Sequence, residues 1–120
     1  MGRNGPDTIY GWKGKDCLDG NTNDGDELWG DGLGAEPEAD VFVISKSLGA
    51  DTIMDFDEND VIVNNSRYTV NTNSFNYVDI PGSTIIELSG KNKFIVKDAI
   101  VDINDIKDDL SAYPQCNGYY

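Results

Sequence analysis

Gly11-Trp12-Lys13-Gly14-Lys15-Asp16-Cys17-Leu18-Asp19 combines two glycines, an aspartate two residues after the second, and an apolar residue two further on. Each position has a physical task. Glycine admits backbone turns that a Cβ forbids, so residues 11–15 read as a tight turn. Asp16 places a hard oxygen charge at the end of that turn. In Cys17-Leu18-Asp19 the side chains alternate across a short strand, which sends Leu18 to the face opposite its neighbours.

The same phrase recurs on both sides. Gly2-Arg3-Asn4-Gly5-Pro6-Asp7-Thr8-Ile9-Tyr10 precedes it, and a longer copy ends in Asp26-Glu27-Leu28-Trp29. Three degenerate copies follow as Asp40-Val41-Phe42-Val43, Asp51-Thr52-Ile53-Met54 and Asp60-Val61-Ile62-Val63. The anchor aspartates 7, 16, 26, 40, 51 and 60 are separated by 9, 10, 14, 11 and 9 residues, an irregularity that belongs in the turns. One turn plus one strand makes one side of a flattened coil, and two repeats complete a winding. That arrangement stacks Asp7, Asp26 and Asp51 along one edge and Asp16, Asp40 and Asp60 along the other.

With its anchors in place, the series resembles the RTX (hemolysin-type) calcium-binding repeats, whose pattern is G-G-x-G-x-D-x-U-x. Gly11 to Asp19 departs from the pattern only in having Trp12 at the second glycine, and the first copy has Arg3 there. The resemblance is strong over the first half of the chain and faint from Gly82 to Ile103. It implies an all-β fold, a right-handed parallel β-roll or β-helix over residues 1–63, with residues 64–120 as a β-rich C-terminal cap. It also implies Ca2+ held by the carboxylates of Asp7, Asp16, Asp26, Asp40, Asp51 and Asp60. Backbone carbonyls of Arg3, Gly5, Trp12, Gly14 and Gly49 would complete the shells. Calcium takes about six to eight oxygens, so this donor set suits about two to four ions.

An EF-hand reading of the same acids fails on position. In the loop opening at Asp19 the sixth and twelfth residues are Asp24 and Gly30, where glycine and glutamate are required, and Asp55 fails likewise with Asp60 and Ser66.

Charge follows the repeats. Of a net charge of −13, residues 1–60 carry −11, from 15 acids against 4 bases, and they hold 10 of the 13 glycines. Stacked aspartates repel, so the repeats are expected to fold only when metal binds. Strong acidity disfavours nucleic acid as a partner. The absence of histidine removes the commonest general base and most transition-metal chemistry, so the chain reads as non-catalytic. No apolar run is long enough for a membrane-spanning segment.

Beyond residue 63 the sequence shows short β-branched or aromatic runs at 66–70, 76–80, 83–88 and 93–96, a helical turn over Asp102 to Leu110, and a loose tail from Tyr113. Cys17 lies beside an inward-facing Leu18 and should point outward; with Cys116 so distant, free thiols are favoured over a disulfide. The resemblance implies a calcium-dependent folding and secretion module of an exported bacterial protein, following a type I route, with an N-terminal catalytic or toxin domain as possible partner. A stand-alone extracellular carbohydrate-binding or adhesion protein is the alternative.

Overall fold

The apolar residue two positions after each anchor aspartate lies in a strand. In the computed structural model, residues 7–12, 14–19, 25–31, 39–44, 50–66, 68–89 and 92–116 are described. Six strands go with the six anchors, β5 containing its anchor Asp51 and the others following theirs: β1 (Thr8–Tyr10), β2 (Cys17–Leu18), β3 (Glu27–Trp29), β4 (Val41–Ile44), β5 (Ala50–Ile53) and β6 (Val61–Asn64). Four more follow: β7 (Phe75–Asn76), β8 (Thr84–Ser89), β9 (Asn92–Val96) and β10 (Ile106–Lys107). Among the described residues the protein is therefore all-β, with short 3-10 turns besides.

Successive strands of the repeat region alternate between two sheets, one ordered β1-β3-β5-β9-β8-β7 and the other β10-β6-β4-β2. The register is strict. Ile9, Leu28, Ile53 and Val96 align across the first sheet, and Leu18, Phe42, Ile62 and Ile106 across the second. These two rows belong to one apolar core, joined by Ile44, Ile86, Phe94 and Val101. Because side chains alternate along a strand, a slip of one residue would turn each row to the outer face.

The expected parallel β-roll needs correction: the structure shows two sheets, one of them mixed, and not a closed roll. β1, β3, β5 and β9 pair in parallel, as do β2, β4, β6 and β10, but β8 pairs antiparallel with both β9 and β7, so the six-stranded sheet is mixed. Only Gly90 and Lys91 separate β8 from β9 in the sequence, and a two-residue connection can join only antiparallel neighbours. Within 64–120, then, β9 and β10 each add a parallel strand to a stack, and β8 and β7 lie beyond β9.

Three further expectations are revised near the C-terminus. The single helical turn over 102–110 is replaced by 3-10 turns at Ile103–Asp105 and Leu110–Ala112 on either side of β10. Asp109 caps the second turn by accepting from Ser111 N–H at 3.0 Å, a position where its negative charge is favourable. The cysteines form a disulfide, Cys17–Cys116, with Cα atoms 5.3 Å apart. Cys17 does lie on the outer face of its sheet, but that face is covered. Leu110, Tyr113 and Cys116 pack there on Val41, Val43 and Val63 in a second apolar cluster. The expected loose tail is accordingly ordered through Cys116, as a 3-10 turn at Pro114–Cys116; residues 117–120 lie outside the described residues. Among the described residues no helix is long and apolar enough to cross a membrane.

Candidate metal-binding edges

The two columns of aspartates are built by backbone hydrogen bonds to side chains. Asp7 N–H donates to Asp26 Oδ1 at 2.7 Å and Asp26 N–H to Asp51 Oδ1 at 3.0 Å. On the opposite edge Asp16 N–H donates to Asp40 Oδ1 at 2.8 Å and Asp40 N–H to Asp60 Oδ1 at 2.9 Å. Asp26, Asp51, Asp40 and Asp60 thus each accept from the anchor that precedes them on the same edge. The six residues fall into the two groups that alternation of sides requires.

The columns stop for identifiable reasons. The residue in register with Asp51 on β9 is Phe94, which ends one column against an apolar ring. Asp60 ends the other: its second oxygen accepts from Asp57 N–H at 2.9 Å, closing the turn that precedes β6.

Four anchors are deeply buried, Asp26 (1% exposed), Asp40 (1%), Asp51 (0%) and Asp60 (6%). Asp40 Oδ2 and Asp51 Oδ2 are buried without a hydrogen-bond partner, one on each edge. Burial is the chief reason that the carboxyls of Asp40, Asp51 and Asp60 are pushed up to about 7 from 3.8. Neighbouring acids add to it. Asp60, Asp31 and Asp16 act on Asp40, and Asp26 and Asp19 act on Asp51.

Asp19 and Asp31 are therefore part of these edges, although only the anchor position pointed to ligands in the sequence. Both are buried and both closely follow a strand of the repeat. Their common signal is an acid just past the strand, at the ninth place of the phrase for Asp19. Asp55 serves differently: its carboxylate accepts from Gly30 N–H at 2.7 Å and from Asp31 N–H at 3.0 Å, fastening one turn to the next.

The glycines leave room for these oxygens. A Cβ on Gly11 would stand 2.6 Å from Asp16 Oδ2 and 2.6 Å from the Gly30 carbonyl oxygen. A Cβ on Gly30 would collide with Asp40 Oδ2, the orphaned atom, and lie 3.0 Å from Phe42 Cζ. Gly14 has φ +97°, a left-handed turn conformation that suits glycine. Trp12, where the repeat pattern has glycine, takes φ 68° all the same, and its ring stacks 5.0 Å from Tyr10, which in turn stacks on Trp29.

Of the carbonyl positions drawn from the resemblance, Trp12 and Gly14 lie in the turn before Asp16, whereas Arg3, Gly5 and Gly49 lie outside the described residues. Among the described residues no group of three or more His, Cys, Asp or Glu side chains is placed to hold a metal ion. The donors that the two edges offer are carboxylate and turn carbonyl oxygens, with both cysteines consumed in the disulfide. That chemistry fits a hard cation such as calcium and not zinc. A partly open pocket of about 350 Å³ adjoins Asp60, lined by Phe56, Asp57, Glu58, Ala99, Val101 and Asp105 among others.

No family model, curated protein or solved structure matches this chain.

Proposed function

We propose that this chain is a non-catalytic calcium-binding module of the RTX kind, a β-roll that folds as it takes up Ca2+ outside the cell. One observation carries the reading: each edge holds a buried carboxylate oxygen, Asp40 Oδ2 or Asp51 Oδ2, that has no hydrogen-bond partner. A buried anion without a partner costs free energy, and a cation at that oxygen removes the cost. Asp16, Asp40 and Asp60 would serve one edge and Asp7, Asp26 and Asp51 the other. Asp19, Asp31 and turn carbonyls, Gly30 included, would supplement them, so that no single ion needs three carboxylates.

The bound ion supplies charge neutralisation that the chain's own bases do not. Net charge is −13, and stacked anchors in the metal-free state repel. Extracellular modules bind calcium at about 10⁻⁴–10⁻³ M, so a chain of this kind stays unfolded where calcium is scarce and folds where it is plentiful. The Cys17–Cys116 disulfide supports the same location, because such bonds persist in oxidising compartments.

Circular dichroism of the oxidised chain in chelator and in millimolar calcium tests the reading. A strand signal that develops with calcium supports it. An identical spectrum in both, with no heat of calcium binding by calorimetry, rules it out.

A further inference from the structure

The C-terminal segment reaches the acidic edges at two points, and both flank anchors of one edge. Cys116 is bonded to Cys17, the residue after Asp16. Gln115 Nε2 donates at 3.2 Å to the carbonyl of Ala39, the residue before Asp40. Between these attachments Leu110, Tyr113 and Cys116 close over Val41, Val43 and Val63. Asp7, Asp26 and Asp51 stand on the other edge, at the starts of strands in the other sheet.

The strand that carries this attachment is one of two short strands at the margins of its sheet. β2, like β10 at the opposite margin, has two residues, and among the described residues it pairs with β4 alone. A two-residue edge strand holds few hydrogen bonds of its own, so what secures it comes from outside the ladder. Here that is the disulfide, which closes a loop across a sequence separation of 99. Closing so long a loop removes much freedom from the unfolded chain, the condition under which a crosslink counts most.

We propose that Cys116 and Gln115 are positioning residues for the Asp16–Asp40–Asp60 edge, and that the redox state of Cys17–Cys116 sets the calcium affinity of that edge alone. The proposal rests on the calcium reading above. Reduction by a dithiol breaks the S–S bond, adds two electrons and two protons to give two thiols, and leaves the reductant as its own disulfide. The C-terminal segment is then untethered, the outer face of β2 and β4 is uncovered, and Asp16 is no longer held against Asp40. The opposite column keeps its geometry. Full calcium loading therefore requires two conditions of the extracellular space together, free calcium and an oxidising environment.

The test is calorimetric calcium titration of the full chain, oxidised and dithiol-reduced, in Asp51→Asn, which keeps the Asp16 edge, and in Asp40→Asn, which keeps the other. Reduction is expected to weaken binding about tenfold in Asp51→Asn and to leave Asp40→Asn within about twofold. Replacing both cysteines by serine should reproduce the loss without reductant, and Gln115→Ala should weaken the same edge more mildly. Equal affinities in oxidised and reduced Asp51→Asn overturn the proposal while leaving calcium binding intact. So does an equal loss in both variants, which would mark general unfolding. No binding by the oxidised parent chain overturns the calcium reading and this proposal with it.

Discussion

Asp16 N–H donates to Oδ1 of Asp40, 24 residues along the chain, at 2.8 Å, and Oδ2 of the same carboxylate is left buried with no hydrogen-bond partner. One oxygen of Asp40 thus aligns two windings and the other is held for a cation. The two duties separate in Asp40→Asn. The amide oxygen still accepts from Asp16, but the buried charge is gone. In chelator at neutral pH the variant should be more stable than the parent by on the order of 1 kcal/mol, because no buried anion remains to be desolvated. In calcium it should lose affinity about tenfold or more. The strand signal in chelator and a calcium titration of both chains read the two effects, and a variant with less strand signal than the parent in chelator would show that the carboxylate is structural only.

The pH dependence should flatten with calcium. Burial, with neighbouring acids contributing, raises Asp40, Asp51 and Asp60 to about 7 in the folded chain, against about 3.9 when unfolded. The metal-free folded state therefore binds more protons than the unfolded state between those values. Its extra stability is fully present below about pH 4 and is lost as pH rises through about 7. Calcium displaces those protons, so in saturating calcium neither state binds them above about pH 5 and stability should stay nearly level from there to pH 8. The folded fraction by circular dichroism at pH 5 and pH 8, with chelator and with calcium, gives the four values needed. Parallel trends in the two series would contradict the assignment.

Much of this arrangement was legible because two periods coincide in the sequence. The nine-residue spacing marked the anchors, and alternation within each strand separated Ile9, Leu18 and Leu28 from their neighbours. Together they predicted which aspartates share an edge. What stayed hidden depends on contacts far apart in the chain. Cys17 was correctly placed facing outward, yet no local signal shows that residues 110–116 return to cover that face and bring Cys116 within bonding distance. The antiparallel β8 was likewise obscured: Ser83 to Leu88 reads as a strand, but its direction is decided by the two-residue connection to β9. Asp19 and Asp31 are not marked as ligands by the repeat, because an acid just past a strand reads as an ordinary solvated turn residue.

Gly30→Ala and Gly82→Ala should separate crowding from backbone strain. At Gly30 the added Cβ meets Asp40 Oδ2 and stands 3.0 Å from Phe42 Cζ. Overpacking of this kind costs about 1–3 kcal/mol, and because the clash falls on an anchor carboxylate, calcium affinity should drop as well. At Gly82 the Cβ meets nothing within 4 Å, but φ is +82°, so the cost is the left-handed strain of about 1–2 kcal/mol alone. Both variants should melt earlier, while only Gly30→Ala changes the calcium titration. Loss of calcium affinity in Gly82→Ala would mean that the two regions are coupled in a way this geometry does not provide.

Phe94 offers the last discriminating substitution, because it is the apolar neighbour in register with Asp51 at the end of that column. Both residues are 0% exposed, and burial leads the causes that raise Asp51. Phe94→Ala should cost about 3–5 kcal/mol for the lost ring and the cavity it leaves. It should also admit water toward Asp51 and return that carboxyl toward its ordinary range, flattening the metal-free pH profile between about 4 and 7. Phe94→Leu keeps the site apolar and should preserve the profile at a smaller cost in stability. If both variants keep the parent's full pH dependence, the raised value belongs to Asp40 and Asp60, and Phe94 is a core residue with no part in closing the column.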